Sequence, residues 1–240
     1  MNIVQIFAIT LVFATTISSV FSVTSRTPSQ SLISLKDAKK QFANNSEQLK
    51  NIKTKIQTYY EAQDQNKESV YEKEVRTICQ TALDKHFKTH KVTEKSAIIF
   101  DIDETVLSDY PFFKEKNFEW TADEAFLFRF KKVCTPIRPV RDFFNELKKL
   151  GYKLIFLTSR RDTLYQATTE NLANTEYVYD ELILLPIKLF EQHVSHGAWK
   201  FEVRKELSKK YDIIGSVGDS QSDFEGGCCG VMVKLPNYLY

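Results

Sequence analysis

Cysteine is scarce in this 240-residue chain: Cys79, Cys134, Cys228 and Cys229 are the four, and their spacing fits no zinc template. So few thiols in so long a chain exclude a disulfide scaffold. An excess of one charge is missing too, because 33 Lys and Arg face 31 Asp and Glu for a formal net charge of +2. No global field singles out a nucleic-acid polymer or an anionic membrane as partner, and any anionic ligand must be held locally. Internal repeats and low-complexity linkers are absent. With 42% hydrophobic and 27% charged residues, this is an ordinary globular protein rather than a disordered or fibrous one. Its length holds one good-sized domain with its own core, or such a domain with a small lid.

Lys and Arg are also absent ahead of the first apolar run, Ile3 to Phe13, which Gln5 and Thr10 interrupt. Small residues follow, and Val20-Phe21-Ser22 offers a cleavage site, so residues 1–22 are expected to be a secretory signal peptide. An uncleaved anchor is the competing reading, because the apolar stretch approaches the roughly 20 residues a spanning helix needs. Thr15, Thr16, Ser18 and Ser19 weigh against it. No cysteine lies here, which excludes lipid attachment through an N-terminal Cys. The expectation is an exported protein, periplasmic or secreted, with no stable membrane anchor after cleavage. Export would permit a disulfide, and the sequence does not name the pair.

From Leu35 to about Gln63, and from about Lys67 to Lys88, apolar residues recur at helical spacing with neither Gly nor Pro between them. Two amphipathic helices are predicted, packing on a core through Leu49, Ile52, Ile56 and Tyr59, with Lys36 to Lys40 as solvated surface. After His90 the texture changes. Ala97–Phe100, Leu154–Leu157, Leu182–Leu185, Ile213–Val217 and Val231–Val233 are short apolar runs of the kind that suits strands buried on both faces. Helical stretches separate them, one opened by Pro139 and closed by Gly151. The alternation predicts an α/β fold, a doubly wound, Rossmann-like parallel sheet. The expected organisation is a helical region at 23–92 and a core at 93–240 with a small helical insert at about 108–136. The first region and the insert together would form a lid.

In such a sheet ligands bind beyond the carboxyl ends of the strands. The residues following the apolar runs are Asp101 and Asp103, then Thr158, Ser159 and Arg160, then Gly218 and Asp219. Asp101 and Asp103 leave the chain on the same side if strand geometry persists. Two carboxylates so close must share a cation or a proton. Asp219 and Asp223 make the cluster too acidic to stand unpaired, and magnesium suits a few carboxylates, water and a phosphate oxygen. Phosphoryl transfer needs a nucleophile, positive charge on the phosphate oxygens and a proton for the leaving group. One aspartate can attack phosphorus, and the other can protonate the leaving alcohol and then deprotonate water. Thr158 can donate to the phosphate, and a Lys must balance the nucleophile.

Asp101-Ile102-Asp103-Glu104-Thr105-Val106-Leu107-Ser108, Phe156-Leu157-Thr158-Ser159-Arg160, and Gly218-Asp219-Ser220-Gln221-Ser222-Asp223 followed by Lys234-Leu235-Pro236-Asn237 resemble the HAD-superfamily acid phosphatases. The resemblance is to the group joining exported bacterial (class B/C-like) acid phosphatases to plant vegetative storage proteins, and it covers residue 90 to the C-terminus, more weakly before. It implies a HAD-like core and a magnesium-dependent phosphatase acting on small phosphomonoesters through an aspartyl-phosphate, working best below neutral pH. It implies Asp101 as nucleophile and Asp103 as general acid and base. Thr158, with Ser159 beside it, and Lys200 would bind phosphate. Asp101, Asp219 and the backbone carbonyl of Asp103 would hold Mg2+, with Asp223 either a further ligand or a partner behind one. Ser159 stands where Gly is usual, and Ser220-Gln221 replaces the more familiar pair between the metal aspartates. Some plant members lack the nucleophilic Asp and are thought to serve as storage proteins; this chain keeps it.

Several residues carry two readings. Arg160 and Arg161 could bind substrate phosphate or cap a helix start. Tyr110, Phe112, Phe113 and Trp120 could stack on an aromatic leaving group such as a nucleotide base, or form lid core. His193 and His196 share a helical spacing without further ligands for a metal, and Cys228-Cys229 reads as packing. A homodimer is open. A non-catalytic storage or binding protein on the same fold and a phosphotransferase are the alternatives to a hydrolase.

Overall fold

Every residue of the run Ser96–Phe100 is buried, and its alternate side chains serve two different cores. Ile98 and Phe100 pack with Phe87, Phe143 and Phe144, whereas Ala97 and Ile99 pack with Ile155, Leu157, Trp199 and Leu207. A strand that is apolar on both faces demands helices on both faces. The computed structural model, which describes residues 22–23, 32–64 and 67–240, has that arrangement. The expected signal segment lies outside the described residues except for Ser22. Among the described residues no helix is long and apolar enough to cross a membrane.

Among the described residues the main sheet has six strands: β1 (Ser22–Val23), β2 (Ser96–Phe100), β5 (Lys153–Arg161), β6 (Glu181–Leu185), β7 (Asp212–Gly218) and β8 (Val231–Lys234). Their order is β1-β8-β7-β2-β5-β6, and every pairing is parallel. The chain enters the core at β2, moves outward through β5 and β6, then returns to the other side of β2 with β7 and β8. The direction of winding reverses beside β2, so the crevice at its carboxyl end is where a ligand site is expected. The five predicted core strands form within a few residues of their apolar runs.

One face is covered by α3 (Val70–Ala82), extended by a single π turn at Leu83–Phe87, and by α6 (Arg138–Lys149). The other face carries α9 (His196–Leu207). Pro139 lies in the first turn of α6, and Gly151 follows it with φ of +94°, as the sequence predicted. In the chain, α7 (Tyr165–Asn174) follows β5, and α8 (Ile187–Glu191) follows β6.

The predicted helix from Leu35 to about Gln63 is two helices. α1 (Leu35–Gln41) ends at Phe42, and α2 (Ser46–Tyr60) starts anew with the Asn45 side chain accepting from the Gln48 N–H at 3.0 Å. Asparagine competes with helix interior by bonding the local backbone, which makes it a cap rather than a continuation. Residues 109–134, between β3 (Leu107–Ser108) and β4 (Thr135–Pro136), carry α4 (Tyr110–Glu115) and α5 (Ala122–Phe130), and the antiparallel β3–β4 pair closes that excursion at its base.

α1 and α2 grip the C-terminal segment. The Leu35 N–H donates to Tyr238 O at 2.9 Å, the Tyr238 N–H donates to Tyr60 Oη at 3.2 Å, and Tyr59 meets the Tyr238 ring edge-on at 5.2 Å.

Helix α3 begins with a reciprocal cap in which the Ser69 side chain accepts from the Glu72 N–H and the Glu72 carboxylate accepts from the Ser69 N–H, each at 3.1 Å. Ser69→Ala is expected to lower the unfolding free energy by about 1 kcal/mol in a urea titration. Partial burial opposes ionisation of Glu72, but Arg138 and the Ser69 N–H outweigh it and hold the carboxyl below its ordinary 4.5. A carboxyl lowered in the folded state stabilises above its unfolded pKa and loses that contribution as pH falls through the folded one. The stability difference between the parent and Glu72→Gln is therefore expected to close as the pH drops below 4.5.

Candidate active site

The backbone that carries the first aspartate is an extension of the sheet. The Asp101 N–H donates to Val217 O at 2.9 Å, continuing the β2–β7 ladder one residue past the strand. The chain then turns sharply: Val106 and Leu107 both donate to Ile102 O at 2.9 Å, and Glu104 sits at φ of +54°. That left-handed conformation is uncommon for a non-glycine residue and is held here by the buried Glu104 carboxylate, which accepts from the Asp109 N–H at 2.5 Å and from Ser108 Oγ. The turn separates Asp101 from Asp103 and gives each its own partners.

Asp101 accepts from Lys200 Nζ at 2.6 Å, and the same ammonium donates to Asp223 at 2.6 Å. Carboxylate oxygens of Asp101, Asp219 and Asp223 lie within 4.8 Å of one another, a donor set of hard oxygens that suits a divalent cation. Burial pushes the Asp101 carboxyl well above its ordinary value, Lys200 opposes this, and Asp223, Asp219 and Asp103 add to it. Burial and the Asp223 charge raise Asp219 to about 6. Burial disfavours the Lys200 ammonium, yet Asp101 and Asp223 outweigh it and keep the lysine charged.

Asp103 is elsewhere. Its carboxylate accepts from Arg160 Nη2 at 2.7 Å and Nε at 3.0 Å, and Arg129 Nε lies 3.3 Å away. Arg129 also binds the fully buried Asp109 at 2.7 Å, and Cys134 Sγ donates to Asp109 at 3.2 Å. Burial would raise Asp103, but Arg129 and Arg160 hold its carboxyl below the usual range. Its side chain is outside the three-carboxylate group.

Asp219 follows β7 and Asp223 lies on the short helical turn Gln221–Asp223, whose N-cap Ser220 donates its N–H to Asp223 Oδ2 at 2.9 Å. Gly218 makes this possible, because a Cβ there would stand 2.2 Å from Asp223 Oδ2. Helix α9 aims one face at the site with residues at i, i+4 and i+8. His196 lines the cavity, with burial first and the Lys200 charge second lowering its pKa. Lys200 bridges the carboxylates. Arg204, fully buried, donates to Asp223 O at 2.8 Å, to Gly227 O at 3.0 Å and to Glu225 O, fastening the loop that carries Asp223.

These side chains floor a cavity of about 290 Å³ at the carboxyl end of the sheet. Thr158, Ser159 and Arg160 form one wall, and Trp120, Ala122, Ala125, Phe126 and Arg129 form the roof. None of the lining residues comes from α1, α2 or α3; the N-terminal helices reach the site through the segment they grip, whose Tyr240 is in the wall. Arg161 lines the cavity and stands at the N-cap of the short helical turn Asp162–Leu164, without a side-chain cap hydrogen bond. Its guanidinium lies between the Phe126 and Phe190 rings, 4.4 and 4.5 Å from their centroids, tying α5 to α8.

Of the four aromatics in question, Trp120 lines the cavity. Tyr110 stacks on Tyr60, Phe112 on Phe128, and Phe113 packs between Trp120 and Tyr240 as core. His193 is not in the site, and all four cysteines are free thiols. The residues the sequence did not single out are Arg129, Asp109, Tyr240 and Arg204. Of these Arg204 left a signal, its i+4 spacing from Lys200.

A model described as HAD superfamily, subfamily IIIB (acid phosphatase) matches residues 21–240. The stem 28 kDa glycoprotein of Glycine max is 31% identical over 156 residues, 62% of this chain and 61% of that protein. Acid phosphatase 1 of Solanum lycopersicum is 30% identical over 152 residues, 59% and 57% of the two. Vegetative storage protein 2 of Arabidopsis thaliana is 29% identical over 179 residues, 71% and 66%. The chain spans 53% to 61% of the length of the stem glycoproteins it matches. Among solved structures, the class C acid phosphatase from Bacillus anthracis with tungstate bound superposes with a TM-score of 0.60 at 19% identity, covering 78% of this chain and 84% of that one. That likeness is one of fold. With the match running along nearly the whole chain, this protein belongs to subfamily IIIB of the HAD superfamily, the acid phosphatase subfamily.

Proposed function

We propose that the chain is an exported, magnesium-dependent acid phosphatase that hydrolyses small phosphomonoesters through a phosphoryl group carried on Asp101. The observation that carries this reading is the segregation of the first two aspartates. Asp101 sits with Lys200 and two further carboxylates on the cavity floor, and Asp103 sits apart in a clasp of two guanidinium groups.

In the first half-reaction Asp101 attacks phosphorus, and Asp103 gives its proton to the leaving oxygen. In the second, the Asp103 carboxylate takes a proton from water, which attacks phosphorus and frees Asp101. Lys200 opposes the upward push of burial on the Asp101 carboxyl and would offer positive charge to the phosphate. Thr158, buried within β5, and Ser159 line the cavity and would donate hydrogen bonds to its oxygens. Mg2+ held by Asp101, Asp219, Asp223 and the Asp103 carbonyl would add Lewis-acid charge on those oxygens. Arg129 and Arg160 make Asp103 a stronger acid than a free carboxyl, which favours proton delivery but lowers the protonated fraction at a given pH. A low working pH offsets that loss.

Trp120, Phe126 and Phe190 give the cavity an aromatic upper half, which supports a planar leaving group and places nucleoside monophosphates first among candidate substrates. The apolar segment before the cleavage site supports export. The storage relatives favour a non-catalytic reading less than the intact set of Asp101, Asp103 and Lys200 favours turnover.

On a chromogenic aryl phosphate, Asp101→Asn is expected to leave no measurable hydrolysis, and chelation to remove turnover that magnesium restores. Turnover untouched by either treatment contradicts the proposal. Asp103→Asn is expected to lose about 10²–10⁴-fold in turnover on an alkyl phosphate; on the aryl ester, whose leaving oxygen departs without a proton, the first burst of phenol release is expected to survive while steady-state turnover falls. Trp120→Ala is expected to raise KM for a nucleoside monophosphate while leaving that for a sugar phosphate unchanged. Equal effects on the two would remove the aromatic preference.

A further inference from the structure

Asp219 is more heavily hydrogen-bonded than its neighbours in the acidic floor. Thr105 Oγ1 donates to its Oδ1 at 3.0 Å, Asn237 Nδ2 donates to its Oδ2 at 2.6 Å, and Tyr240 Oη reaches the same Oδ2 at 3.2 Å. A carboxylate offers about four lone-pair sites. Three are occupied by protein donors, and the one remaining belongs to Oδ1. The side chain is thereby fixed in orientation and left with one direction in which to accept a cation.

Two of those three donors belong to the segment after β8, which makes no helix or strand of its own. It is anchored at each step. The Leu235 N–H donates to Gly218 O at 2.8 Å, and the Leu239 N–H donates to Asn237 Oδ1 at 2.8 Å, which orients the amide so that its NH2 faces Asp219. Tyr238 is held by Leu35 and Tyr60, and Leu239 is buried. The Tyr240 ring packs edge-on against Phe113 at 6.1 Å and is 38% exposed, lining the cavity.

We propose that Asn237 and Tyr240 are positioning residues that set the affinity of the metal site by orienting Asp219, and that α1 and α2 supply the rigidity by gripping the segment that bears them. Donors behind a metal-ligating carboxylate fix its direction before the ion arrives, so the ion meets an ordered ligand. The inference rests on the reading of Asp219 as a metal ligand, and it assigns a task to the N-terminal helices, which contribute no side chain to the cavity.

The test is magnesium binding by the full-length protein, followed by titration calorimetry and by the magnesium-dependent rise in unfolding temperature, neither of which requires turnover. Tyr240→Phe and Asn237→Ser are expected to raise the magnesium Kd by about 10- to 100-fold, and Asp219→Asn to abolish binding. The unfolding temperature of Tyr240→Phe without magnesium is expected to match the parent's, which a general loss of structure would not allow. If Asp219→Asn abolishes binding while both Tyr240→Phe and Asn237→Ser bind as the parent does, the positioning role is overturned and the metal reading stands. If the parent binds no magnesium, or Asp219→Asn binds it equally well, the ligand assignment fails and takes this inference with it.

Discussion

Repulsion among buried carboxylates is the constraint around which the rest of this structure is arranged. At an effective dielectric constant of about 20, two unit negative charges at the 4.8 Å separation that bounds the Asp101, Asp219 and Asp223 group repel by about 3.5 kcal/mol. Three such pairs cost on the order of 10 kcal/mol, as much as the whole net stability of a typical domain. Lys200 answers part of this by touching two of the three, and Lys234, whose ammonium donates to the Asp219 carbonyl, adds a second positive charge. A divalent ion would answer the remainder. Asp103 escapes the crowd because the turn at Glu104 carries it to Arg129 and Arg160. One acidic motif thus yields two environments of opposite tendency, one raising a carboxyl pKa and the other lowering it.

Much of this was legible along the chain. Runs such as Ala97–Phe100 are readable as core strands because a strand apolar on both faces leaves a continuous trace, and the polar residues that end those runs must then gather at one edge of the sheet. Asp101, Thr158 and Asp219 were found that way. Lys200 needed the family resemblance, since one lysine on a helix carries no local mark. Arg129 and Tyr240 left none at all. Their contacts with Asp103 and Asp219 span 26 and 21 positions and depend on how α5 and the C-terminal segment fold over the sheet. The break at Asn45 was legible but overlooked, a cap hidden inside an otherwise helical run of charged residues. The contact of Arg161 with Phe126 and Phe190 was not legible, because those rings come from two separate elements.

The periphery serves the centre in graded fashion. The sheet fixes Asp101 through a backbone bond to Val217, α9 brings Lys200, and Arg204 on the same face secures the loop of Asp223. The N-terminal helices act at one remove, through the tyrosines that hold the chain near Tyr238. The α5 roof, pinned through Arg161, brings Arg129 to Asp103 and shields the upper cavity.

All of these arrangements serve one chemical claim, that Asp101 forms a covalent bond to phosphorus. The most direct measurement is to mix enzyme with a phosphomonoester at its working pH, quench in acid within the turnover time, and map the phosphoryl group by peptide mass spectrometry. The account predicts a mass increase of one phosphoryl group on the peptide containing Asp101, at that residue, in the parent and, accumulating further, in Asp103→Asn. A peptide containing Asp101 that carries no phosphoryl group in both proteins while the parent turns over, or a phosphoryl group on a different residue, would contradict it.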